Sequence, residues 1–150
     1  MSKNYPVIAV TGSSGAGTSS VKVAFEHIFH REIVRPCIIE GDSFHCFDRY
    51  QMKDEVARAQ AAGEHFSHFG PEANHFDKLE GLFQTYGETG TGQRRRYLHD
   101  AEEAAPYRQK PGTFTEWEEI PENSDVLFYE GLHGGIISDE VDVTRYVDLL

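Results

Sequence analysis

The sequence is poor in several features that would fix its class at once. Only two cysteines occur, Cys37 and Cys46, too few and too close for a disulfide framework. Uninterrupted apolar runs stop at four residues, at 7–10 and 126–129. A bilayer span takes about 20, so a transmembrane segment is excluded. No apolar stretch of the roughly 7–15 residues that make a secretory leader follows Lys3. These absences predict a soluble, cytoplasmic protein. Basic charge is scarce too, with 14 Lys+Arg against 25 Asp+Glu. Apart from Arg94-Arg95-Arg96 there is no basic footprint for nucleic acid. Repeats and low-complexity tracts are absent. What remains, 39% hydrophobic and 26% charged over 150 residues, is the composition of one globular domain with a sizeable core.

The acidic excess is uneven. Residues 1–60 balance seven basic against seven acidic side chains, whereas residues 101–150 hold three against twelve. The neutral first third can therefore receive an anionic small molecule, while the last third reads as solvated surface.

Pro6-Val-Ile-Ala-Val-Thr11 is β-branched and apolar, fit for a buried strand. It runs into Gly12-Ser-Ser-Gly-Ala-Gly17, and then Val21, Phe25, Ile28 and Phe29 recur at helical spacing. Cys37-Ile-Ile-Glu40 reads as a second strand, and the interval suits a βαβ unit with parallel strands. A helix is predicted over 43–62, a loop from His65 to Asn74, and a second helix over 75–86. The latter has Phe76, Leu79, Phe83 and Tyr86 on one side and stops at Gly87. Residues 100–125, broken by Pro106, Pro111 and Pro121, read as a loose excursion. Asp125-Val-Leu-Phe-Tyr-Glu130 is a third buried strand, and Val147-Asp148-Leu149-Leu150 looks like the beginning of another. The whole predicts an α/β fold of P-loop NTPase type, a mostly parallel sheet flanked by helices and incomplete at its C-terminus. Residues 1–150 are accordingly expected to be the N-terminal part of a single, longer domain.

Gly12-Ser13-Ser14-Gly15-Ala16-Gly17-Thr18-Ser19 fits the phosphate-loop pattern G-x-x-x-x-G-K-[ST] at every fixed place but one, because Thr18 stands where lysine is usual. Glycines let several backbone N–H groups face one oxyanion, and the following helix adds its positive end. Ser19 has the hydroxyl expected on Mg²⁺, and Ser20 follows within the loop. On its own the run also fits an ordinary glycine-rich turn; the strand–loop–helix setting favours phosphate. Lacking the lysine, a kinase must bring another cation to the transferred phosphoryl group.

Ligands of open α/β sheets gather beyond the carboxyl ends of the strands. Asp42 and Glu130 both follow strands. Glu130 is the candidate metal-linked carboxylate and Asp42 the candidate general base for a hydroxyl, although either alone also fits a strand-end turn. His45, Arg49 and Lys53 are spaced by four, along one face of the predicted helix. They suit a sugar phosphate, or equally an exposed face paired with Asp48, Asp54 and Glu55. Arg94-Arg95-Arg96-Tyr97-Leu98-His99 is a second basic patch, for a phosphate, a partner subunit or solvent. His65 and His68 make no metal signature. Adjacent residues point apart on a helix, so Cys46 beside His45 is not read as a catalytic thiol.

Together with Phe66-Ser-His-Phe69, Tyr86-Gly-Glu-Thr-Gly90, Tyr97-Leu-His-Asp100 and Leu127-Phe-Tyr-Glu-Gly-Leu-His133, these segments resemble the phosphoribulokinase family of the bacterial type. The likeness runs nearly end to end and includes the unusual loop threonine. It implies transfer of the ATP γ-phosphoryl group to the 1-hydroxyl of D-ribulose 5-phosphate, the Calvin-cycle step before CO₂ fixation. By resemblance, residues 12–20 match the ATP loop, Asp42 the base, Glu130 the Mg²⁺-linked carboxylate, and His45, Arg49, Lys53 and His99 the sugar-phosphate ligands. A homo-oligomer is implied as well, activated by NADH and inhibited by AMP. The family's chain continues past Leu150 with a further aspartate, a lysine and arginines, so residues 1–150 alone are expected to be inactive or nearly so. Ala16 stands where the plant branch has a regulatory cysteine, which predicts no thiol switch there. A uridine-type nucleoside kinase and a non-catalytic nucleotide-binding fragment are the alternatives. The first would give Arg49 and Lys53 no phosphate to hold.

Overall fold

The computed structural model describes residues 4–13 and 15–150. In chain order its elements are β1 (Val7–Thr11), α1 (Thr18–Arg31), β2 (Pro36–Glu40), α2 (Arg49–Ala61) and α3 (Phe76–Thr89). There follow β3 (Gln93–Arg94), β4 (Tyr97–Leu98), α4 (Ala101–Ala104), β5 (Thr113–Phe114), β6 (Glu118–Glu119) and β7 (Val126–Gly131). Among the described residues two compact units form, one within 4–41, 76–94 and 118–150, the other of 42–75 and 95–117.

The first unit is built on a parallel sheet in the order β1-β7-β2. All three strands fall where the apolar runs predict them, but β1 and β2 are not neighbours. Val7 and Cys37 both pair with Leu127. Composition explains the order. Val126, Leu127, Phe128 and Tyr129 are all buried, which suits the strand covered on both faces and both edges. In β1 and β2 buried residues alternate with partly covered ones, so β1 is less enclosed than its apolar run suggests. Beyond β1, Leu149 makes a parallel bridge to Ile8, and Ala9 N–H donates to Leu149 O at 2.8 Å. The strand beginning expected at 147–150 takes this form.

Phe25 and Phe29 of α1 pack on Phe128, with ring centroids 5.0 and 5.7 Å away. Val21 and Ile28 remain 41% exposed, so the expected four-residue apolar face narrows to two aromatic rings. On α3, Phe76, Leu79, Phe83 and Tyr86 are all buried, joined by Leu82. The helix runs through Gly87 and ends at Gly90, whose φ of 78° and N–H bond to Tyr86 O close the last turn. A glycine inside a helix costs only about 1 kcal/mol, so Gly87, the expected stop, does not break the ladder, and the helix closes instead where Gly90 takes a positive φ and bonds Tyr86 O.

In the second unit the helix predicted over 43–62 is shorter. Gly41–Phe44 form a 3-10 turn, and α2 begins only at Arg49. Asp48 is its cap, accepting from Tyr50 and Gln51 N–H, while the Gln51 side chain accepts from Asp48 N–H. This reciprocal capping box outcompetes an earlier start. His45 is thus not helical but bridged to Asn74 in a short antiparallel contact. Residues 100–125 are not a loose excursion either. α4 is capped by Asp100, β5 pairs antiparallel with β4 in the second unit, and β6 with β3 in the first.

Candidate active site

The phosphate loop joins β1 to α1. Gly15 and Gly17 have φ of 84° and 89°, a left-handed backbone that side chains disfavour. A Cβ on Gly12 would lie 2.9 Å from Thr18 Cγ2 and 3.2 Å from Ala16 Cβ, so a side chain at the loop's first glycine would force its neighbours to shift. Ala16 N–H donates to Ser13 O, tightening the turn. Gly17 caps α1 without a side-chain hydrogen bond, and no acidic residue occupies the first turn. Among the described residues no side chain caps the helix's leading N–H groups, the setting that suits an anion. Ser13, Gly15, Ala16, Gly17, Ser19 and Ser20 are exposed and Gly12 and Thr18 partly so; Ser14 lies outside the described residues. The lysine nearest this loop in sequence, Lys22, is held by Glu26 and Glu40 at 3.8 and 3.6 Å.

Glu130, next to last in β7, is in register with Val10 and Glu40 of the flanking strands. Sequence reading missed what shapes this strand end. Gly41 and Gly131 close over Tyr129, and a Cβ on either would sit 2.5–2.6 Å from its hydroxyl oxygen. That oxygen accepts from His133 N–H. Among the described residues no group of three or more His, Cys, Asp or Glu could hold a metal ion. An all-protein cage is therefore not built, but Mg²⁺ does not need one. It keeps waters and takes one or two hard oxygen donors plus substrate phosphates, a demand that a serine hydroxyl and a carboxylate fit.

The second unit concentrates charge on Asp42. His99 Nε2 lies 3.0 Å from Asp42 Oδ2, and His45 Nε2 lies 3.5 Å from Oδ1. Each ring's other nitrogen also meets an acceptor. His45 Nδ1 is 2.8 Å from Asn74 Oδ1, and His99 Nδ1 is 3.0 Å from Glu103 Oε2. Both imidazoles are thereby raised above their ordinary value. For His45 the bond to Asp42 outweighs burial; for His99 burial opposes, and the bonds to Asp42 and Glu103 together outweigh it. Asp42 is lowered to about 2, chiefly by His45, then by His99, against the cost of desolvation.

Arg49, the first residue of α2, donates from Nη2 to His99 O at 2.8 Å, and Lys53 stands exposed one turn further along. Asp42, His45, His99 and Arg49 are thus brought together, but by a turn, a bridge and two chain segments rather than along one helix face. Arg95 is the residue that the sequence hid. It reads as part of a solvated or phosphate-binding run, yet its guanidinium stacks on Phe114 and Trp117, 3.6 and 4.5 Å from the ring centroids. Nε and Nη2 donate to Ser43 O and His45 O. Burial lowers it to about 10, a cost those two bonds and the cation–π contacts offset. Arg95 pins the turn that carries Asp42 and His45.

The family model described as Phosphoribulokinase / Uridine kinase family matches residues 7–150. The chain belongs to this family. A plasmid-borne phosphoribulokinase of Cupriavidus necator is 60% identical, covering 100% of this chain and 52% of that protein. A probable phosphoribulokinase of Escherichia coli is 52% identical over the same shares of both. Among solved structures, phosphoribulokinase from Rhodobacter spheroides superposes with a TM-score of 0.85 at 47% identity, over 99% of this chain and 50% of that one. A putative fructose transport system kinase from Silicibacter, at 15% identity and a TM-score of 0.63, shares the fold. The fold is thus the P-loop kinase type that the phosphate-loop reading predicts. The chain spans about half the length of the curated relatives it matches. No helix among the described residues is long and apolar enough to cross a membrane.

Proposed function

We propose that this chain is the N-terminal part of a single phosphoribulokinase domain. The proposed reaction moves the γ-phosphoryl group of ATP to the 1-hydroxyl of D-ribulose 5-phosphate, giving ADP and ribulose 1,5-bisphosphate for CO₂ fixation in the Calvin cycle. The carrying observation is the cationic setting of one carboxylate. Asp42 is flanked by His45 and His99, with Arg49 bonded to the His99 carbonyl. Such a setting suits an acceptor that brings both a hydroxyl and a phosphate. The high identity to named phosphoribulokinases supports the same reading.

Residues 12–20 hold the ATP phosphates through backbone N–H groups and the start of α1. Ser19 and Glu130 would hold Mg²⁺, which when bound offsets charge on the β- and γ-phosphates. His45, Arg49, Lys53 and His99 hold the sugar phosphate. Arg49 provides a forked guanidinium and Lys53 a point charge. Asp42 receives the proton of the 1-hydroxyl as that oxygen bonds to Pγ and the bond from Pγ to the bridging oxygen breaks. Lowered to about 2, Asp42 is a weak base while both imidazoliums touch it. The acceptor hydroxyl must therefore displace at least one of them, which restores basicity when the substrate is in place. Carried by the resemblance are a homo-oligomer, NADH activation and AMP inhibition, while a cytoplasmic location rests on the sequence composition.

The test is ADP release from Mg·ATP by the full-length protein, with ribulose 5-phosphate and uridine offered side by side. Turnover on the sugar phosphate alone is expected. Turnover on uridine alone would reassign the acceptor site, and silence with both would leave a nucleotide-binding fold.

A further inference from the structure

The two histidines against Asp42 are held differently from behind. Asn74 is 5% exposed, and both its amide N–H bonds are used on carbonyls, His68 O at 3.0 Å and Gly70 O at 2.9 Å. Its orientation is therefore fixed, and its oxygen is left to accept from His45 Nδ1. The backbone there is tied as well, with Cys46 N–H on Ala73 O and His75 N–H on Phe44 O. His99 has a looser support. Glu103 receives both the His99 backbone N–H and Nδ1 on one carboxylate oxygen, at 2.9 and 3.0 Å, and its side chain is 48% exposed.

We propose that Asn74 and Glu103 are positioning residues that occupy the outer nitrogen of each ring and so turn both Nε2–H groups toward Asp42, with His45 the fixed donor and His99 the releasable one. This deepens the sugar-phosphate reading and rests on it. An acceptor on Nδ1 obliges that nitrogen to carry the proton. A neutral ring would then turn an Nε2 lone pair toward the Asp42 carboxylate, so each ring gains by keeping both protons. Around His45 stand Asp42 at Nε2, Asn74 at Nδ1 and the Arg95 guanidinium on its carbonyl. Around His99 stand Asp42, Glu103, the Arg49 guanidinium on its carbonyl, and the Tyr97 ring edge-on at 4.8 Å. Exchange falls to His99 because its support is a solvated carboxylate on a four-residue helix, whereas His45 is held by a buried amide within a backbone bridge.

The experiment is performed on the full-length protein carrying Glu103→Gln, which keeps the shape and an acceptor oxygen but removes the charge. Side-chain nitrogen NMR of labelled histidine reads the protonation of each ring across pH without any substrate. In Glu103→Gln, His99 should lose its second proton at lower pH than in the wild type while His45 titrates unchanged. The KM for ribulose 5-phosphate should rise about tenfold at a pH between the His99 midpoints read in the variant and in the wild type, the worth of one charge-assisted contact, and stay near wild type at a pH below both. Glu103→Asp should restore part of both effects. An unaltered His99 titration, or a KM raised equally at the two pH values as a purely structural defect would do, overturns the proposal. Because the NMR arm needs no turnover, absence of kinase activity would count against the functional reading alone.

Discussion

His99 Nε2 lies 3.0 Å from Asp42 Oδ2 although the two residues are 57 positions apart, and the contact covers one oxygen of that carboxylate. Asp42→Asn removes the anion that both imidazoles face. In the full-length protein, turnover should fall roughly 10²–10⁴-fold, the usual worth of a positioned base, while the KM for ATP stays near wild type. Steady-state kinetics with each substrate varied decides this. Equal loss in both parameters would assign Asp42 a folding role.

The same cluster makes stability depend on pH. His45 and His99 are raised, so what they contribute is complete below their ordinary value of 6.5 and fades as pH climbs through their higher folded values. Asp42 is lowered from 3.8 to about 2, so its part is present above 3.8 and is lost only as pH falls toward 2. The cluster is therefore strongest between about pH 4 and 6.5. With Asp42 56% and His99 38% exposed, screening holds it to about 1 kcal/mol or less, or roughly 2–4 °C in Tm. Thermal melts should show a wild-type advantage over Asp42→Asn at pH 6 that shrinks at pH 9. An equal gap at both would contradict the ionic account.

Arg49→Ala should raise the KM for ribulose 5-phosphate about 10–100-fold, as expected when one charged hydrogen bond is lost, with a smaller change in kcat. Arg49→Lys should recover only part, because a point charge cannot replace the fork that also reaches the His99 carbonyl. An unchanged KM in Arg49→Ala would remove this residue from the acceptor site.

Gly41→Ala tests the end of the sheet. The added methyl would lie 2.5 Å from Tyr129 Oη and 3.1 Å from Gly131 Cα, an overpacking that costs about 1–3 kcal/mol. Denaturant unfolding should show that loss, and Tyr129→Phe in the same chain should return part of it by removing the nearest atom. Additivity of the two changes would mean that the clash is relieved elsewhere.

How far the sequence carries the reader depends on how local each cause is. Strands over 7–11, 36–40 and 126–131 are legible because short β-branched and aromatic runs have few other uses. Their order is not, because nothing within a strand says which neighbour it takes. The capping box at Asp48 and Gln51 is written in the sequence, yet Asp42-Ser43 offers a competing start, and only the fold reveals a 3-10 turn there. Asp42, His45, Arg49 and His99 can be singled out one by one, but their convergence depends on the bridge to Asn74 and on the return of the chain through β4, directly before His99. Arg95 was out of reach altogether, since its partners Phe114 and Trp117 lie about twenty residues on and its neighbours are also arginines.

The order β1-β7-β2 also governs when this sheet can assemble. Its centre is the last of the three strands to be synthesised, so Val7 and Cys37 both wait for Leu127 to supply their shared partner. During translation β1 and β2 emerge early with unpaired backbone edges and no strand to sit between them. Closing loops of that length comes before any sheet contact rewards it. Until β7 emerges, the nascent chain therefore holds the β1 and β2 edges without the strand they share, and unpaired edges of that kind are open to pairing with other chains.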